Sequence, residues 1–302
     1  MKTIQLLIGL LFLVSCQQKQ NTPIKTEITR TSNYELHQVV HSKSLLILFP
    51  GGGGNSTNIK QEFHILDIAK KNNISVLLMN FSGKLWIENE DYRLLENQLT
   101  AVIKNKNLNP DNIHIGGMSI GGNIALQLSN YLTLKDSDIQ PKGVFIVDSP
   151  IDLHLLYKSA IKDINTAGFT EERLQEPKWI VNYFEDVFGG KDSLLMNIKN
   201  IALFTYQTNT IKNISALKNT NVRLYTEPDV KWWRENRQTD FENTNAFVIQ
   251  KLAMQLTNEG WSKFELITTK NKGYRANGDR HPHSWSIVDE KDLVKWILES
   301  EL

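Results

Sequence analysis

Short, continuously apolar segments recur along this chain, and segments with helical spacing separate them. Ser44-Leu45-Leu46-Ile47-Leu48-Phe49 and Val76-Leu77-Leu78-Met79-Asn80-Phe81 are the clearest apolar runs. Ile113-His114-Ile115 leads into two glycines, and Gly143-Val144-Phe145-Ile146-Val147 closes on Asp148-Ser149-Pro150. Val222-Arg223-Leu224-Tyr225-Thr226 and Phe264-Glu265-Leu266-Ile267-Thr268 complete the series. All six predict strands, and the first two, nearly without polar positions, predict strands buried on both faces. Tyr34 to Val40 adds an early strand. Helical spacing predicts a helix from Ser56 or Thr57 to about Asn72, with Phe63, Ile65, Leu66 and Ala69 inward. A second helix runs from Tyr92 to Lys104 with Leu95, Leu99, Val102 and Ile103 inward, a third starts just after Ile120, and the last starts at Asp289 with Leu293, Trp296 and Ile297 inward. Strands alternating with helices predict an α/β fold with a doubly wound, mostly parallel sheet. Between Ile151 and Thr220 no strand pattern occurs. That stretch reads as helical, with Leu155, Phe169, Trp179, Tyr183, Phe184 and Phe188 available for an apolar surface.

The first residues follow a different rule. Met1-Lys2 supplies a positive end, Ile4 to Val14 is nearly all apolar, and Leu13-Val14-Ser15-Cys16 puts a small residue before a cysteine. The apolar stretch is too short to span a bilayer comfortably and has the shape of a secretory signal peptide. Its ending resembles the lipobox of bacterial lipoproteins. The resemblance implies cleavage before Cys16, lipid on its sulfur, and a place in the bacterial cell envelope outside the cytoplasm. Cys16 is the only cysteine of the chain, so no internal disulfide competes for it. The expected organisation is a signal peptide over 1–15, a polar tether over 16–30 and one domain over 31–302, with a helical insertion at about 151–218.

The 302 residues carry a formal net charge of +1. That length suits one large domain, and the balanced charge gives no footprint for nucleic acid. No His, Cys, Asp or Glu spacing suggests a metal, and no cofactor motif is present.

The chemistry begins at Gly117-Met118-Ser119-Ile120-Gly121, which fits G-x-S-x-G between a strand and a helix start. A serine hydroxyl is a weak nucleophile, so it must be held exposed where a histidine can take its proton. A sharp turn flanked by glycines does this. With this turn, the strand order and two late histidines, the region from about Leu36 onward resembles the α/β-hydrolase superfamily of esterases and lipases. The resemblance implies that fold, a helical cap at 151–218, and a nucleophile, acid and histidine in that chain order.

Of seven histidines, only His281 and His283 follow the last predicted strand. They lie in Gly278-Asp279-Arg280-His281-Pro282-His283-Ser284-Trp285, where the family places its catalytic histidine. His283 is the preferred assignment and His281 the alternative. The acid is expected after the penultimate strand, in Glu227-Pro228-Asp229, with Asp229 preferred and Glu227 next. The glycine usual before the family's acid is missing. Asp148, at the end of the preceding strand, is an acid position in some family members, but in this chain it is read as a strand-end residue or a pocket-wall hydrogen bonder. The resemblance assigns one oxyanion donor to the Ile120 N–H. Gly51-Gly52-Gly53-Gly54 resembles the family's glycine-rich oxyanion loop, which points to Gly52 or Gly53 for the second, although Phe49-Pro50 stands where His-Gly is usual. A phosphate-binding loop would need a Gly-Lys-[Ser/Thr] ending that this run lacks.

Trp232-Trp233-Arg234-Glu235-Asn236-Arg237 either lines a substrate site or packs on the cap, and Gly83-Lys84-Leu85-Trp86 follows a strand end that faces the same edge. The implied activity is hydrolysis of a small-molecule or saccharide ester through an acyl-enzyme, with the membrane as partner through the lipid. The same three groups would serve a peptidase or an acyltransferase, and a non-catalytic binding lipoprotein is the reading of a different class.

Overall fold

The computed structural model describes residues 25–189 and 191–300. The expected signal peptide and Cys16 lie outside the described residues. Elements in chain order are β1 (Thr26–Arg30), β2 (Tyr34–Val39), β3 (Ser44–Phe49), α1 (Ser56–Glu62), α2 (Ile65–Lys71), β4 (Ile74–Met79), α3 (Asn89–Asn105), β5 (Ile113–Met118), α4 (Ile120–Leu134) and β6 (Pro141–Val147). Then come α5 (Leu153–Ile164), α6 (Glu171–Phe188), α7 (Lys191–Ile201), β7 (Asn221–Thr226), α8 (Val230–Arg237), α9 (Asn245–Asn258), β8 (Phe264–Thr268) and α10 (Glu290–Glu299).

The strands form one eight-stranded sheet in the order β1-β2-β4-β3-β5-β6-β7-β8. β3 to β8 are parallel, while β1 and β2 pair antiparallel at one edge. β1 lies within the span expected to be tether, so the sheet begins earlier than 31. Its residues are mostly polar and half exposed, as an edge strand permits.

Side chains of each central strand alternate between two cores. Leu45, Ile47 and Phe49 of β3 belong to the core shared with α3, α4 and α9, whereas Leu46 and Leu48 belong to the core shared with α1, α2 and α10. All five are 0% exposed. Each such burial stabilises by about 1.5–3 kcal/mol, which explains why Leu45 to Phe49 holds no polar residue. The single helix expected over 56–72 is broken between α1 and α2. Phe63, at the break, leaves helical geometry and stacks on Trp285 with ring centroids 4.7 Å apart. Asn55, rather than Ser56 or Thr57, caps α1 through its side-chain oxygen.

The stretch between β6 and β7 is helical. Helices α5, α6 and α7 share a small core of their own, into which Trp86 is driven from the loop after β4, against Tyr183, Phe184 and Phe188. The insertion ends sooner than 218: Leu203, Phe204, Ile214 and Leu217 belong to the main core with α4.

Candidate active site

The parallel strands deliver their C-terminal ends to one edge of the sheet, where α/β proteins bind ligands. Ser119 stands between β5 and α4 with φ 55° and ψ −129°, a conformation that side chains rarely adopt. Its N–H donates to the Val147 carbonyl at 2.9 Å, and its own carbonyl accepts from the Gly122 N–H at 3.0 Å. The flanking glycines are sterically required. A Cβ on Gly117 would fall on the Gly121 carbonyl, and one on Gly121 would fall on the Pro50 carbonyl oxygen. The elbow thereby packs directly against the start of the Gly51–Gly54 loop.

That loop sits over the elbow. A Cβ built on Gly51 would lie 3.7 Å from Ser119 Cβ, and one on Gly52 would lie 3.6 Å from Ile120 Cδ1. Gly53 has φ +68°, which glycine adopts without strain. Ile120 opens α4, and the first N–H groups of a helix have no intrahelical acceptor. Ile120, Gly52 and Gly53 line the same cavity as Ser119.

A cavity of about 650 Å³ opens there, lined by Ser119, Ile120, the Gly51–Gly54 loop, His281 and His283. Helices α5 and α6 roof it with Leu156, Trp179 and Ile180, and Leu85 reaches it from the loop after β4. Trp86 does not line it and serves cap packing instead.

The carboxylate that meets His283 is Asp148. Its Oδ2 lies 2.7 Å from His283 Nδ1. Asp148 is 2% exposed and directly follows β6. It is held from every side: Thr226 Oγ1 donates to Oδ1 at 2.7 Å, the Asp148 N–H donates to the Tyr225 carbonyl at 2.8 Å, and Asn245 Nδ2 donates to the Asp148 carbonyl at 2.8 Å. Its φ of 46° matches the unusual backbone at Ser119. Against a carboxylate, Nδ1 is the donor, which leaves Nε2 free to accept a proton.

Asp229 and Glu227 are engaged elsewhere, contrary to the expectation for the acid. Arg280 Nη2 donates to Asp229 Oδ2 at 2.6 Å, and Asp229 Oδ1 accepts the Trp232 N–H at 3.1 Å as the cap of α8. Glu227 is 1% exposed and accepts from the same arginine, from Thr269 Oγ1 at 2.8 Å, and from the N–H groups of Lys272 and Gly273 at 2.9 and 3.2 Å. These two carboxylates anchor the loop that carries His283 and do not bond its imidazole.

Among the described residues, His281 has no carboxylate partner. It packs on Trp232 and Trp233 with ring centroids 4.8 and 5.9 Å away, and Arg237 Nη2 is 3.4 Å from its Nε2. Burial, and then the charges of Arg275, His283 and Arg237, push its pKa down to about 3. Helix α8 thus reaches the cavity through Trp233 and Arg237. Among the described residues, no group of three or more His, Cys, Asp or Glu is gathered to hold a metal ion.

No family model matches this chain, and no curated protein matches it. Solved structures do. An α/β hydrolase from Vibrio vulnificus is 17% identical with TM-score 0.53, over 93% of this chain and 82% of that one. An esterase of the bacterial hormone-sensitive lipase family is 15% identical with TM-score 0.54, over 92% and 83%. Esterase B from Lactobacillus rhamnosis, solved with an inhibitor, is 11% identical with TM-score 0.54, over 92% and 88%. The shared architecture, the elbow at the end of β5 and the late histidine loop lead to one conclusion: this chain has the α/β-hydrolase fold.

Proposed function

We propose that the protein is a serine hydrolase that cleaves carboxylic esters through an acyl-enzyme. The observation that carries this reading is the Asp148–His283 hydrogen bond of 2.7 Å in a cavity that also presents Ser119 on a strained elbow. His283 Nε2 takes the Ser119 hydroxyl proton as the oxygen attacks the ester carbonyl. Asp148 holds the imidazole in the needed tautomer and stabilises the imidazolium. The Ile120 N–H and a donor from Gly52 or Gly53 stabilise the oxyanion. His283 then gives its proton to the leaving alcohol, and water hydrolyses the acyl-Ser119 ester by the reverse sequence. Esters of small molecules or sugars fit the cavity size. The test is hydrolysis of para-nitrophenyl acyl esters of increasing length and of acetylated sugars. The wild type is expected to turn over at least one series and Ser119→Ala none; equal rates for the two proteins would refute the mechanism.

We infer that the enzyme acts in a bacterial cell envelope, anchored outside the cytoplasm by lipid on Cys16. The supports are the charged start, the apolar segment and the Leu13-Val14-Ser15-Cys16 ending.

A further inference from the structure

The cavity wall beside His281 carries two guanidinium groups that, among the described residues, have no acidic partner. Arg275 and Arg237 both line the cavity that holds Ser119 and His283. Arg237 Nη2 is 3.4 Å from His281 Nε2, and the His281 ring is 6.2 Å, centre to centre, from that of His283. Arg237 therefore stands one imidazole away from His283. Its guanidinium also lies over the Trp232 ring, 5.9 Å from the centroid.

Among the described residues, no carboxylate oxygen comes within 4.0 Å of either guanidinium. Other arginines are treated differently: Arg280 holds Glu227 and Asp229, and Arg223 holds Glu265 and Asp292. Glu62, Asp163 and Glu176 also line the cavity, and none of them pairs with Arg275 or Arg237 within 4.0 Å. Glu62, whose charge acts on Arg275, uses Oε2 to accept the Ala276 N–H at 3.1 Å. Asp240 pairs with Lys162. Asp163 and Glu176 line the cavity from the cap helices, where Asp163 feels the charge of Arg173. Burial makes the charge of Arg275 costly, and the positive charge of Arg237 adds to that cost. Arg275 is half-buried and Arg237 is exposed; a half-buried guanidinium is normally matched by an anion, and the planar fork of both suits carboxylate or phosphate oxygens.

We propose that Arg275 and Arg237 form a subsite for an anionic group of the substrate, a carboxylate or a phosphate carried by the ester that Ser119 attacks. This rests on the serine-hydrolase reading above. The site would select esters with a charge at one end, on either the acyl or the alcohol side.

Two matched pairs of esters test it on the full chain. The para-nitrophenyl monoester of glutarate is compared with the valerate ester, and the acetyl ester of glycerol phosphate with monoacetylglycerol. At least one charged member should show kcat/KM about tenfold or more above its neutral counterpart. Preference in the first pair identifies a carboxylate, and in the second a phosphate. Arg275→Gln and Arg237→Gln should each pull the charged-to-neutral ratio towards one. Arg275→Lys should keep part of the preference, and it replaces the glutamine variant if that variant does not fold. A ratio near one for both pairs in the wild type, or a preference that both glutamine variants retain, overturns the proposal. If no ester is turned over at all, it is the hydrolase reading that has failed. The subsite is then judged by calorimetric titration of glutarate and of inorganic phosphate at constant ionic strength. Binding that Arg275→Gln abolishes supports it, and binding no stronger than a chloride control overturns it.

Discussion

Asp148 Oδ2 and His283 Nδ1 lie 2.7 Å apart, although 135 residues separate them in the chain. The bond joins the end of β6 to the loop before α10, and Thr226 on β7 supports it through the other carboxylate oxygen. Asp148→Asn should keep the fold and lower kcat on an activated ester by roughly 10⁴-fold, because an amide neither fixes the donor tautomer nor stabilises imidazolium. Steady-state kinetics of the variant, beside a circular dichroism spectrum, measure this.

Glu227 has a positioning part. It is buried, and it ties Arg280, Thr269 and the backbone of Lys272 and Gly273 into one unit below the histidine loop. Glu227→Gln should lower unfolding free energy by about 2–3 kcal/mol, the scale of a lost charge-assisted bond, read from urea unfolding. Asp229→Asn should cost about 1 kcal/mol or less, since Asn still caps α8 and the side chain is partly exposed. Its kcat should fall far less than that of Asp148→Asn; the reverse order would show that Asp229 is the acid.

His114 makes stability depend on pH. It lies inside β5, 0% exposed, with neither ring nitrogen bonded, and burial lowers its pKa from 6.5 to about 3. The unfolded chain binds the proton below pH 6.5 and the folded chain does not until about pH 3, so stability falls as pH drops through that window. The loss from this residue should be about 2 kcal/mol at pH 5. His114→Leu should remove that share, giving a flatter acid limb in urea unfolding at pH 7 and pH 5. An unchanged difference between the two pH values would show that His114 does not titrate this way.

The proposed lipid anchor predicts a partition. Wild-type protein made with its own leader should enter the detergent phase, and Cys16→Ser should either enter the aqueous phase or retain its leader. Identical behaviour and processing of the two would refute lipidation at Cys16.

Sequence legibility followed the range of the physics. The elbow is local: two glycines and a serine between an apolar strand and a helix suffice to read it. β3 and β8 have the predicted limits because both ends of each run meet polar or turn-forming residues. The carboxylate that bonds His283 is harder to read, because β6 and β7 deliver carboxylates to the same sheet edge. What separates them is Arg280, which neutralises Glu227 and Asp229 only once the histidine loop has folded back. An arginine immediately before His281 was the available hint. Helix α9 had a readable signal, Thr244 as cap followed by Val248, Ile249, Leu252 and Leu256 at helical spacing. The break after α1 had none, because the Phe63–Trp285 contact joins residues far apart in sequence. β1 left little trace, since its polar residues alternate without a buried face.

The most direct test of the central claim is the site of covalent labelling by a fluorophosphonate, located by mass spectrometry of the digested protein. One adduct is predicted, on Ser119, with full loss in Ser119→Ala and strong slowing in His283→Ala but not in His281→Ala. An adduct that persists in Ser119→Ala, or slowing by His281→Ala alone, would contradict the Ser119–His283–Asp148 account.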